Sequence, residues 1–178
     1  KIVGYILRSD LKTCSNTEFI IKKAYSRMWI LRRLKALGAS RIRLLDVLQK
    51  QILSVLNLGV PAWDSLLTEQ EKEDFERVLK TGLKIIWGKD YSTFDSVIKE
   101  SQIRTMRQVR EKIVKNFVRK TIKHHKFKKW FSEHDSAGMT TRTGNRARFK
   151  SVPAKKAFFQ KSPIPTLTNL ANLLTTHN

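Results

Sequence analysis

A mainly α-helical fold is predicted by three features of the sequence. Apolar residues recur at three and four positions over most of the chain, helix-capping signals recur, and only one short β-branched run is present. The expected architecture is a short N-terminal β-strand, a bundle of about four to five helices, and a basic flexible C-terminal arm. The corresponding segments are residues 1–15, 16–131 and 132–178. A chain of 178 residues suffices for one domain with a modest core, or for one domain and a tail.

The run Ile2 to Leu7 is β-branched and aromatic and reads as the strand, with Ser9-Asp10 as its turn. Asn16 or Thr17 is placed to cap a helix running to about Leu37, where Gly38 supplies the stop. Ile20, Ala24, Met28, Leu31 and Leu34 form its apolar face, and Lys22, Lys23, Arg32, Arg33 and Lys35 occupy much of the remainder. Ser40 caps the next helix, which is apolar on several sides (Ile42, Leu44, Leu45, Leu48, Ile52, Leu56). That pattern, which also includes Val47, Leu53 and Val55, predicts a helix buried at the centre of the core, ended or bent by Gly59 and Pro61 before Trp63.

Thr68 and Glu71 have the spacing of a capping box, and the helix they open carries Phe75, Val78, Leu79, Leu83 and Ile86 inward before closing at Gly88. Its acidic first turn suits the helix dipole, which explains Glu69, Glu71, Glu73, Asp74 and Glu76 without a metal. A short helix follows from Thr93 to Glu100. Thr105, with Gln108 as its box partner, begins another whose inward residues are predicted to be Met106, Val109, Ile113, Phe117 and Ile122. Past Ser132 the period is lost, which predicts a flexible basic arm. A short amphipathic helix is expected after Pro165, carrying Leu167, Leu170, Leu173 and Leu174.

Charge is the unusual quantity. There are 36 Lys+Arg against 15 Asp+Glu, a formal net of +21. Residues 1–101 hold 18 basic and 12 acidic side chains, whereas residues 102–161 hold 18 basic and only 3 acidic. Such a surplus strains the compact state, and a polyanion relieves it. Nucleic acid is the first candidate, because neutralising phosphates releases condensed counterions, and an anionic membrane surface is the second. Arg104, Arg107, Lys115, Arg119 and Lys123 include neighbours at three and four residues, which places part of a cationic stripe on one helix face. That stripe is either a phosphate-binding edge or a solvated face.

Lys126-Phe127-Lys128-Lys129-Trp130-Phe131 mixes cations and rings. The rings are spaced either to stack on bases or to pack the helix end onto the core. Arg142, Arg146 and Arg148 in the arm are further candidates for non-specific phosphate contact.

Other chemistry finds little support. Cys14 is the single cysteine, so no intrachain disulfide is possible. His124, His125, His134 and His177 lack Cys or carboxylate partners at zinc-ligand spacings. No Gly-rich phosphate loop occurs, and no run of about 18 apolar residues offers a membrane span. The reading therefore expects no membrane partner and an intracellular location, nuclear or cytoplasmic. The chain opens at Lys1 in an apolar stretch without an initiating Met, as expected of a segment of a larger protein.

Taken in order, the elements resemble the region after the catalytic palm in reverse transcriptases of jockey-like non-LTR retrotransposons. Lys1-Ile2-Val3-Gly4 resembles the family's Lys-x-Leu-Gly primer-grip strand, with Val3 in place of Leu. Asp10-Leu11-Lys12 and the helix from Ala24 to Leu37 are similar to the next segment, with Thr13 replacing an aromatic. Gly59-Val60-Pro61-Ala62-Trp63 resembles the close of the first long thumb helix. Phe75-Glu76-Arg77-Val78 with Leu83-Lys84-Ile85-Ile86-Trp87-Gly88, the stretch from Arg107 to Lys120, and Lys161-Ser162-Pro163-Ile164-Pro165 to Leu170 continue the likeness. The order and spacing carry it, since each motif alone is weak.

The resemblance implies an RNA-directed DNA polymerase whose catalytic aspartates, and the Mg2+ they hold, lie upstream. It implies no cofactor in this fragment and no polymerisation by it alone. Val3 and Gly4 would stand near the primer terminus and the basic helices along the duplex. The implied partners are nucleic acid (an RNA–DNA hybrid, RNA or DNA) and the rest of the polymerase chain. Two other readings remain open: a stand-alone helical nucleic-acid-binding protein derived from a mobile element, and a degenerate relic or protein-interaction scaffold.

Overall fold

The computed structural model describes Ile6, residues 13–131, Glu133, residues 148–151, Pro153 and residues 155–176. In chain order the α-helices are α1 (Cys14–Ser26), α2 (Met28–Ala36), α3 (Arg41–Val47), α4 (Ser54–Leu56), α5 (Val60–Trp63), α6 (Glu69–Trp87), α7 (Phe94–Ser101), α8 (Met106–Lys123), α9 (Ala157–Gln160) and α10 (Pro163–Thr176). Among the described residues no strand occurs, and the one β-feature is an isolated antiparallel bridge between Glu133 and Phe149. The expected strand Ile2–Leu7 lies outside the described residues except for Ile6, whose N–H donates to Asn16 Oδ1 at 3.2 Å. The chain divides into two compact units, one of Lys1–Gly59 with Leu67–Arg110, the other of Val60–Leu66 with Glu111–Asn178.

In the first unit α6 packs against α1, α2 and α3. Its predicted inward residues Phe75, Val78, Leu79, Leu83 and Ile86 are all buried. The helix expected over 16–37 is two helices, interrupted at Arg27. Just before the break, Ser26 Oγ donates to the Lys23 carbonyl at 2.8 Å, a back-bond of the kind that bends helices. The predicted apolar face is the buried one, at Ile20, Ala24, Met28 and Leu31. Gly38 ends α2 at φ 79°, with its own N–H on the Lys35 carbonyl and the Ala39 N–H on Leu34, a Schellman closure.

Neither Asn16 nor Thr17 caps α1. The N-cap is Thr13, and it makes no side-chain capping bond. Thr13 Oγ1 and Thr17 Oγ1 instead donate to the carboxylate of Glu71 at 3.0 and 2.8 Å, fastening α1 to α6. Glu71 is also the partner in the predicted capping box: it accepts from the Thr68 backbone N–H at 2.8 Å while its own N–H donates to Thr68 Oγ1. Burial pulls the Glu71 carboxyl upward. The hydrogen bonds from Thr68, Thr17 and Thr13 outweigh that and hold it below the usual carboxylate range.

The helix expected at the centre of the core is buried at Leu44, Leu48, Ile52 and Leu56, but it is not regular. After α3 the chain continues through a π-helical stretch, Leu48–Leu53, into α4. The wider turn brings both Ile52 and Leu53 inward with Leu48 and Leu56, while Ile42 is 80% exposed. α6, packed against α1, α2 and α3, shares that core. Lys35 Nζ closes the far end of α6 by donating to the carbonyls of Ile85 and Ile86 at 2.8 and 3.0 Å.

In the second unit the core is Val118, Phe131, Phe149, Leu167 and Ala171, flanked by Val114, Phe117, Ile122, Leu170 and Leu174. Phe149 lies within the expected flexible arm, yet it is 2% exposed. Its ring meets Phe131 at 5.5 Å between centroids, and its N–H and C=O are both bonded to the Asn172 side-chain amide. A single residue anchored through ring and backbone leaves no helical period in the sequence. α10 starts at Pro163, earlier than expected, which proline tolerates in a first turn.

Candidate nucleic-acid interface

The basic helix α8 is fixed at its start by local chemistry. The Thr105 N–H donates to Gln108 Oε1 at 3.2 Å and the Gln108 N–H to Thr105 Oγ1 at 3.3 Å, the predicted reciprocal box. The carboxylate of Glu76 adds a second cap, accepting from the N–H groups of Met106 and Arg107 at 3.2 and 2.8 Å. From the acidic cluster of α6, Glu76 and Glu71 are thus engaged in helix starts, while Asp74 pairs with Arg77 and Glu69 with Lys72. Among the described residues no group of three or more His, Cys, Asp or Glu is placed to hold a metal ion.

The inward face of α8 differs from the predicted one. Met106, Arg110, Val118 and Thr121 are buried, whereas Val109, Ile113, Phe117 and Ile122 are half-buried. Arg110 takes an inward position because its guanidinium lies over the Phe75 ring, 5.3 Å from the centroid. The sequence carries no sign of this, because a cation is ordinarily assigned to the outside of a helix.

Within the second unit, Lys112, Lys115, Arg119, Lys120 and Lys123 of α8 are all exposed. Four of them, Lys112, Lys115, Arg119 and Lys123, fall within about 80° of the helix circumference at 3.6 residues per turn. Lys112 is the member that sequence reasoning missed, although it stands three residues before Lys115. Arg104 and Arg107 are also exposed but belong to the first unit. Lys126, exposed, follows in the 3-10 turn His125–Trp130. The side chains of Lys128 and Lys129, like Val3, Gly4, Arg142 and Arg146, lie outside the described residues.

Several cations elsewhere in the chain are already engaged. In the first unit Arg41 meets Asp90 and Glu100, Lys50 meets Asp46, and Arg27 donates to the Gln51 carbonyl. Arg148 in the second unit is likewise taken, by Glu133 at 2.9 Å and by the ring of Phe149. Lys112, Lys115, Arg119, Lys120, Lys123 and Lys126 have no ion pair with another described residue. A row of unpaired like charges three and four residues apart weakens a helix by a few tenths of a kcal/mol per pair, roughly.

No family model, curated protein or solved structure matches the chain. What the surface can do therefore rests on its own chemistry. Beyond the cations it carries rings: His124 and Phe127 stand 5.3 Å apart between centroids, and Phe127 and Trp130 4.9 Å apart. Phe131, the remaining aromatic of that run, packs into the core, whereas Phe127 is half-buried and Trp130 exposed. No helix among the described residues is long and apolar enough to cross a membrane.

Proposed function

We propose that the chain grips nucleic acid through phosphate contacts, as the thumb-like C-terminal part of an RNA-directed DNA polymerase of the non-LTR retrotransposon class. The row of exposed, unpaired cations on α8 is the observation that supports this most directly. Phosphates alongside relieve their repulsion and release counterions, and contacts of that kind discriminate little between sequences. The bound species on this reading is template–primer, an RNA–DNA hybrid. The resemblance of the ordered motifs from Gly59 to Lys120 supports that enzyme class. Nucleotide incorporation belongs to a palm, and this segment holds no share in it.

The test is equilibrium binding of a hybrid duplex by the protein and by a variant carrying Lys115→Gln and Arg119→Gln. The variant is expected to bind more weakly on every sequence tried. A control carrying Lys50→Gln and Lys72→Gln, cations already paired with Asp46 and Glu69, is expected to bind as the parent does. Equal affinity of all three proteins overturns the reading.

A protein-binding scaffold is the second reading, favoured by the exposure of Trp29 (62%), Leu37 (71%), Ile42 (80%) and Leu58 (56%). Weak binding to every nucleic acid, together with a defined protein partner, would support it.

A further inference from the structure

We propose that the rings of His124, Phe127 and Trp130 form a stacking platform for an unpaired nucleotide, so that the second unit holds a single-stranded stretch continuing from a duplex. This rests on the backbone-binding reading above and names the part of the substrate that the reading leaves open.

The residues from His125 to Trp130 form a 3-10 turn. In that geometry side chains three apart eclipse, which lines up positions 124, 127 and 130 along one edge. The rings touch in sequence, His124 on Phe127 and Phe127 on Trp130, each pair tilted at 54° and 59°. His124 is held in place, since its Nδ1 accepts the Lys126 N–H at 3.3 Å. The ladder ends in Trp130, which is 45% exposed although the neighbouring Phe131 is 4% exposed and committed to the core. An indole steadied by one ring and open over nearly half its surface offers an aromatic face to a flat ligand.

The surrounding charge selects the ligand. Lys123 and Lys126 flank His124 and are exposed, and the cations of α8 lead up to them. Positive charge beside an open ring matches a phosphate joined to a base, the combination used by proteins that hold single strands. Inside a duplex both faces of each base are covered by neighbours. A base in an unpaired extension has a free face for Trp130.

The experiment compares two ligands, a blunt hybrid duplex and the same duplex with a short unpaired extension of the template strand. Trp130→Ala is expected to lower affinity for the extended ligand by roughly 5- to 150-fold, the range of one base–aromatic stack. Affinity for the blunt duplex should stay within about twofold, and Trp130→Phe should keep most of the preference. In a Trp29→Phe background, the extended ligand should also quench the exposed indole fluorescence. A circular dichroism spectrum matching the parent checks that the variant folds. If Trp130→Ala changes neither ligand, or both equally, while Lys115→Gln with Arg119→Gln weakens both, the stacking platform is refuted and backbone gripping stands. If the charge variant changes neither, gripping fails and the platform with it.

Discussion

Replacing Glu71 by alanine tests the packing of α1 on α6 at its most exposed assumption, that a buried carboxylate organises both. Glu71 is 9% exposed and accepts from Thr13 Oγ1, Thr17 Oγ1 and the Thr68 N–H at 3.0, 2.8 and 2.8 Å. In the alanine variant the Thr68 amide, at an exposed residue, turns to water, so that half of the capping box costs about 1 kcal/mol. Thr17 keeps an alternative acceptor in the Thr13 carbonyl at 3.1 Å. Thr13 Oγ1, at a residue 4% exposed, is left stranded, a loss of about 1–3 kcal/mol.

The sum is about 2–4 kcal/mol, or a fall in Tm of roughly 5–15 °C for a chain of this size. Thermal unfolding followed by circular dichroism at neutral pH measures it. Combining Glu71→Ala with Thr17→Val should show coupling above about 0.5 kcal/mol, because the two residues share one network. A loss under about 0.5 kcal/mol, the scale of a surface substitution, would refute the reasoning.

Three further outcomes follow from the same structure. Because the folded-state carboxyl of Glu71 is lowered from its ordinary 4.5, its stabilisation is complete above that pH and is lost as pH falls through the lowered value. The Tm of the parent should therefore drop below pH 4.5 more steeply than that of Glu71→Gln, in thermal scans from neutral pH downward. Phe149→Ala should cost about 3–5 kcal/mol by urea unfolding, whereas Arg148→Ala, losing an exposed pair with Glu133, should cost less than about 1 kcal/mol. Gln102 closes α7 in the left-handed region at φ 55°, so Gln102→Gly should raise stability by about 0.5–1 kcal/mol, visible as a higher Tm.

What was legible in the sequence was local. The boxes at Thr68 and Thr105 and the stops at Gly38 and Gly88 depend on residues within one turn, and all four stand where the spacing put them. Glu71 read as a box partner, but its second task, receiving hydroxyls from residues 54 and 58 positions away, has no local mark. The π-helical stretch escaped for a related reason: a five-residue hydrogen-bond register differs from an α-helix by one residue, and the apolar run at Leu48 to Leu56 fits both. Arg110 was lost to the rule that cations face outward, and Phe149 to the rule that a core residue belongs to a periodic element. The basic character of α8 was plain from composition. That Lys112, Lys115, Arg119, Lys120 and Lys123 lack carboxylate partners among the described residues required coordinates.

The central claim is that positive charge on α8 exists to lie along a phosphate backbone. The dependence of hybrid-duplex affinity on salt concentration tests it most directly. With Lys112, Lys115, Arg119 and Lys123 each displacing a counterion, log K against log salt should fall with a slope of about −3 or steeper, and Lys115→Gln with Arg119→Gln should flatten it by about 2. A slope near zero, or one that the two substitutions leave unchanged, would contradict the account.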